Sequence, residues 1–309
     1  MHPPRPIIHD WLRLARLSNL PTVVTNVLTG AAIGVYVLTA RADAAPPTSG
    51  ALLAALALLI PAVACLYTAG MILNDVADAK FDARERPERP IPSGRIPRRT
   101  ALIAAVALFI IALALLAPLG APALIPGALL IATIVAYNLL HKLFAGFAVL
   151  MGVCRALVYA LSAAAVTNSL EIAHAPLTLA LAISLALYIT AVTLIASVEH
   201  TPRAGAGPLT RLLAALPAAV TLPMFLLRPP QQWVWTALAG AALLVAYTGA
   251  ARHLFATPVR TKRSVLAWLA AICLVDAWFL TLLDQPIWAA LAAACYVLTI
   301  LLHQRIAGT

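Results

Sequence analysis

The chain has 309 residues, of which 63% are hydrophobic and only 10% charged, and its mean hydropathy is +0.95. An ordinary soluble domain is roughly half apolar, so this composition excludes one and defines an integral membrane protein. The net charge of +10 implies no nucleic-acid partner, because the basic residues flank apolar stretches, where insertion and anionic headgroups call for them.

The apolar runs are about twenty residues long and rich in Ala and Leu without polar alternation, which predicts helices rather than a β-barrel. In chain order the expected spans are 18–39, 51–74, 101–118, 122–140, 145–166, 176–198, 209–227, 233–253, 264–283 and 286–303. Pro217 and Pro223 interrupt the seventh, and the last hairpin turns tightly between Asp284 and Pro286, so nine or ten crossings fit. The expected fold is all-α, a polytopic membrane bundle of nine to ten helices forming one domain over residues 1–309. No appended soluble domain is expected, and the first sixteen residues, polar and broken by prolines, do not read as a cleavable signal peptide. Cys65, Cys154, Cys273 and Cys295 all lie in apolar spans at no metal-ligand spacing and read as small core residues.

Arg5, Arg13, Arg16, the run from Lys80 to Arg99, Lys142, Arg203, Arg211 and the group Arg252, Arg260, Lys262, Arg263 fall at alternate loops, and only Arg41 and Arg228 fall on the other side. The positive-inside rule then places the N terminus and these loops in the cytoplasm, for a multi-pass protein of the inner membrane.

The second span ends in NDVADAKFD, Asn74 to Asp82. On a helix the offsets 0, +3 and +7 bring Asp75, Asp78 and Asp82 into a narrow arc with Asn74 beside them, while Lys80 points away. Like charges on one face repel, and a chain keeps them there chiefly when a cation such as Mg²⁺ neutralises them. The loop that follows carries Arg84, Arg86, Arg89 and Arg95, forked donors for anionic oxygens, with Pro87, Pro90, Pro92 and Pro97 stiffening it and Gly94 allowing a sharp turn. Acids for a metal therefore sit beside bases for a phosphate. Polar stripes recur inside other spans: Asn19, Thr22 and Asn26 in the first, and Arg155, Tyr159 and Ser162 in the fifth. An intramembrane Arg155 faces the interior, toward either a phosphate or a structural acid, and Asp276 in the ninth span has the same two readings.

At these residues the chain resembles the UbiA superfamily of intramembrane prenyltransferases. Asn74, Asp75, Asp78 and Asp82 match its first aspartate-rich motif, and RPIPSGRI (Arg89 to Ile96) is similar to that motif's continuation. Arg16 to Gly30 is similar to the first-helix R-x-x-N signature and YNLLHK (Tyr137 to Lys142) to a later element, so the resemblance covers roughly residues 10 to 200. It implies a helical bundle around a central lipid-open cavity, with Mg²⁺ holding an allylic isoprenyl diphosphate whose prenyl group passes to an unidentified small acceptor. Asn74, Asp75 and Asp78 would bind the metal with Asp82 in support, and Arg89, Arg95, Lys142 and Arg155 would hold the diphosphate. Asn19, Asn26, Tyr137 and Tyr159 would line the pocket. Where the family has a second aspartate-rich motif this chain reads TLIASVEHTPRAG, with Glu199 as the single candidate ligand beside His200. A divergent branch of the superfamily is similar in this departure and in LVDAWFL (Leu274 to Leu280). Membrane lipids are the other expected partners, and no protein partner is implied. A non-catalytic prenyl-lipid binder and a lipid or metabolite transporter are the alternative readings.

Overall fold

A computed structural model describes residues 7–41, 46–140, 143–171, 176–197, 208–228, 230–256 and 259–305. Every regular element among them is helical: α1 (Ile7–Leu14), α2 (Leu20–Ala40), α3 (Ser49–Glu85), α4 (Arg98–Leu116), α5 (Ala121–Leu140), α6 (Ala148–Thr167), α7 (Pro176–Ser197), α8 (Pro208–Thr221), α9 (Trp233–Leu254), α10 (Thr261–Leu282) and α11 (Pro286–Arg305), joined in places by short 3₁₀ turns. Ten of these segments are long and apolar enough to cross a membrane. The seventh reaches that length because a 3₁₀ turn, Leu222–Leu226, continues α8 past Pro217 with Pro223 inside it.

Two helices form the centre. In α10 and the first span, 78% and 67% of the apolar window is buried inside the protein, against 17% for α4 and α11, whose apolar faces look outward to lipid. The polar stripe of the first span is thus an interior feature, packed against α3, α6, α10 and α11. Close approach makes this packing possible. A Cβ at Gly30 would lie 2.7 Å from that of Ser162, and one at Gly152 would lie 2.2 Å from the carbonyl oxygen of Ala186, so hydrogen side chains let α2 meet α6 and α6 meet α7 backbone to backbone.

The span expected over 51–74 and the helical arc expected through Asp82 form one helix, α3, which runs 37 residues to Glu85, about 55 Å where the hydrocarbon layer is about 30 Å thick. Ala, Lys and Glu in the acidic stretch are good helix formers, and the helix stops only where Pro87 approaches. Beyond it residues 86–97 fold back compactly. Ile91 and Ile96 are buried with Leu14, Ile72, Val76 and Ala101, and Gly94 takes a left-handed φ of 76° that favours glycine. The N-terminal α1 packs at the same end of the bundle, and Arg16, at a φ of 45°, turns the chain from it toward α2.

Candidate active site

Between α2, α3, α5, α6, α7 and α10 lies a cleft in two joined parts. An apolar chamber of about 230 Å³ is lined by side chains such as Val63, Leu66, Leu130 and Val192. A polar vestibule of about 570 Å³ is lined by Asp78, Asp82, Arg86, Arg89 and Lys262. Arg16, Asn19, Asn74 and Tyr137 border both and form the neck between them.

The overlong α3 carries the acidic face into this neck. The Asn74 amide donates to Asn138 Oδ1 at 3.0 Å, and Arg16 Nη2 donates to Asn74 Oδ1 at 3.5 Å. Asp75 is only 5% exposed. Its Oδ1 stands 3.6 Å from both the Arg16 and Arg89 guanidinium nitrogens, yet accepts no hydrogen bond. Its charge is balanced while one oxygen stays unbonded, as an oxygen ligand to a hard cation would be, but Asp75 lines neither the chamber nor the vestibule and stands one residue behind Asn74. Asp78 opens on the vestibule, and Lys80 is exposed, as the helical arc required.

Other expected residues take different places. Asp82 lines the vestibule with Asp78, and its Oδ2 accepts from Arg89 Nη1 at 2.7 Å. Among the described residues no three His, Cys, Asp or Glu side chains converge as a metal-ligand set, because the compact loop after α3 presents Arg89 to Asp82. Arg95 is engaged elsewhere, donating to buried Asp10 of α1 at 2.8 Å and to the Glu88 carbonyl at 2.8 Å. It pins α1 onto the loop. Lys142, Glu199 and His200 lie outside the described residues.

Asn26 and Tyr159 sit behind the cleft wall rather than on it. Asp276 of α10, wholly buried, accepts from the Tyr159 hydroxyl, from Thr25 at 2.5 Å and from the Asn26 amide at 2.7 Å. Arg155 does line the chamber. It donates to Asn26 Oδ1 at 2.6 Å and to the Thr22 hydroxyl at 3.1 Å, and lies 5.6 Å from the centre of the Tyr67 ring. Asn26 therefore stands between Arg155 and Asp276, linking a cation and an anion that form no direct ion pair.

Four contributors were not singled out from the sequence as site residues: Arg16, Asn138, Lys262 and His303, which holds Asn19 at 2.7 Å. Arg16 and Asn138 lie within stretches that matched family signatures, which was the available signal. Nothing marked Lys262 or His303, whose places depend on how α10 and α11 close on α2.

The chain belongs to the UbiA prenyltransferase family, which it matches over residues 27–265. Among curated proteins it is similar to digeranylgeranylglyceryl phosphate synthases. It is 52% identical to the protein of that name from Methanothrix thermoacetophila over 65 residues, 20% of this chain and 24% of the relative. To the one from Methanopyrus kandleri it is 37% identical over 100 residues, 32% of this chain and 31% of the relative. The chain thus spans about a quarter to a third of the length of these relatives. Its fold is similar to the apo structure of a UbiA homolog from Aeropyrum pernix K1, with a TM-score of 0.65 and 19% identity over 89% of this chain and 98% of that one. It is also similar to a UbiA homolog from Archaeoglobus fulgidus bound to GPP and Mg²⁺, with a TM-score of 0.58 and 15% identity over 93% and 99%.

Proposed function

We propose that the protein transfers an isoprenyl group from an allylic isoprenyl diphosphate to a small acceptor within the membrane, releasing pyrophosphate and using Mg²⁺. The carrying observation is the neck itself, where Asn74 and Arg16 border both an apolar chamber and a polar vestibule that holds Asp78 and Arg89, with the buried Asp75 carboxylate, one oxygen unbonded between two guanidiniums, next to Asn74 on the same helix. That arrangement fits an amphiphile with an anionic head and an isoprenoid tail. Mg²⁺ is commonly held by one or two carboxylates plus substrate phosphates and water, so Asp75 and Asp78 with Asn74 suffice for one ion. Asp82 acts through Arg89, and Glu199 is the candidate for any second ion. When bound, Mg²⁺ neutralises charge on the diphosphate head.

The side chains do the rest. Arg16 and Arg89, with Lys142, hold the diphosphate and stabilise the charge it gains as the allylic C1–O bond breaks and the electron pair leaves with it. The apolar chamber solvates the tail and keeps water from the carbocation. The acceptor's nucleophilic atom then bonds to C1, and its proton leaves through the vestibule. The relatives' names describe a glyceryl phosphate bearing two geranylgeranyl groups, which puts geranylgeranylglyceryl phosphate first among acceptors to try, beside aromatic and polyol acceptors.

The test is pyrophosphate release by purified protein given geranylgeranyl diphosphate, Mg²⁺ and that acceptor panel. Release that needs Mg²⁺ and is lost in Asp75→Ala is expected, and undiminished release by Asp75→Ala and Asp78→Ala overturns the assignment. A second reading, a non-catalytic prenyl-lipid binder, is favoured by the solitary Glu199 where the family has further aspartates. Tight diphosphate binding without turnover on any acceptor would select it.

We also place the neck on the cytoplasmic side. The two basic residues assigned to the opposite side are both paired with acids there, Arg41 with Glu171 at 3.6 Å and Arg228 with Asp284 at 2.5 Å, while the cationic excess collects at the other end. A cysteine at exposed Ser93 should resist an impermeant thiol reagent in intact cells while one at Ser49 reacts, and the reverse pattern overturns the orientation.

A further inference from the structure

A second cavity lies outside the catalytic cleft, on the lipid-facing side of the bundle where α9, α10 and α11 meet. It encloses about 450 Å³. Its bed is made of small residues, Ala246, Gly249 and Ala250 of α9 and Ala267 of α10, with Tyr296 of α11 on the far wall. Arg252 and His253 close its mouth at the C-terminal end of α9. From Arg252 back to Val245 the crevice runs about 10 Å along the helix toward the bilayer interior. Gly249 leaves the trough open, since a Cβ there would meet nothing within 4 Å. The flanks are solvent to lipid tails: Val245 is 71% and Val297 55% exposed.

The charge around the mouth has one sign. From Arg252 to Arg263, the stretch that closes the mouth and leads into α10, the chain carries four Lys or Arg and no Asp or Glu. Arg260 is held beside the mouth by its backbone N–H, which donates to the His253 carbonyl at 2.9 Å. Among the described residues Arg252, Arg260 and Arg263 form no ion pair.

We propose that this crevice binds an anionic phospholipid, its phosphodiester on Arg252 and His253 and one acyl chain along the trough of Ala246, Gly249 and Ala267. A positive helix end at the membrane surface accounts for the cations but not for an open trough of small residues beneath them. A trough filled by bulk lipid tails accounts for the small residues but carries no headgroup preference. The two features together match the two halves of one amphiphile, because guanidinium groups grip phosphate oxygens in pairs and basic pockets between membrane helices select anionic headgroups.

Native mass spectrometry of the purified protein titrated with dioleoylphosphatidylglycerol or dioleoylphosphatidylcholine tests this. Phosphatidylglycerol should bind about tenfold tighter, Arg252→Gln should bring the two lipids close to equal, and Gly249→Leu should lower binding of both without changing charge. Gly249→Ala, a smaller filling that the open space accommodates, should give the same effect in lesser degree and serves if the leucine variant does not fold. Equal retention of the two lipids by the unaltered protein overturns the proposal, as does a preference that survives both Arg252→Gln and Gly249→Leu. Displacement of phosphatidylglycerol by millimolar inorganic phosphate would reassign the mouth to a free anion. A doubled protein mass in place of lipid adducts would reassign the crevice to a second copy of the chain, and either result overturns it.

Discussion

Asp75 and Asp276 are both buried aspartates of a membrane bundle, and they are treated in opposite ways. Around Asp276 the protein supplies a hydroxyl from Tyr159, a hydroxyl from Thr25 and an amide from Asn26, so both carboxylate oxygens are satisfied. Around Asp75 it supplies charge instead, two guanidiniums at 3.6 Å, and leaves Oδ1 without a hydrogen bond, one residue along α3 from Asn74 at the neck. An unsatisfied polar group costs most where the dielectric is low. A chain that saturates one buried carboxylate and leaves an oxygen of another unbonded beside the neck has separated packing from ligand binding.

Substitutions can break that contrast. The largest effect should come from Asp75→Ala, a loss of about 1,000-fold in turnover, or about 4 kcal/mol of barrier, with the fold kept because Arg89 retains Asp82 as a partner at 2.7 Å. Next, Asp276→Ala strands three buried donors and should cost about 3 kcal/mol of stability, read as a lower melting temperature. If Asp276→Ala melts normally but loses turnover, the contrast fails and Asp276 belongs to the reacting site. A smaller effect is expected of Glu199→Ala, about a tenfold loss of rate, with a hyperbolic Mg²⁺ dependence in the parent protein; a cooperative second phase that vanishes in this variant would show two ions. The smallest is Tyr159→Phe, about 1 kcal/mol of stability with turnover retained, measured on the same melting curves.

Much of this was legible in the sequence, and the limits have physical causes. Ten spans follow from length and hydropathy because a helix must cover the hydrocarbon layer without polar breaks. Hydropathy reports where water begins, not where the helix ends, so it put the edge of the span at residue 74, while the periodicity of the acids carried the helix on to Asp82 and helix-forming Ala, Lys and Glu take it to Glu85. In the site, Asn74, Asp75 and Asp78 could be read from one helix's periodicity. The pairings of Arg89 with Asp82 and of Arg95 with Asp10 could not, since they depend on the path of a loop. Asp276 and Arg155 were both recognisable as costly, but the amide of Asn26 between them is set by the relative rotation of α2, α6 and α10, which no single-helix pattern encodes.

The joined chamber and vestibule also bear on how the protein meets its ligand. A molecule that fills both has its tail in the bilayer before it arrives, so encounter takes place in two dimensions and the relevant concentration is a mole fraction in lipid, not a molarity in the buffer. At fixed bulk substrate, diluting the mixed micelles with extra detergent should slow the reaction in proportion, although nothing in the site has changed.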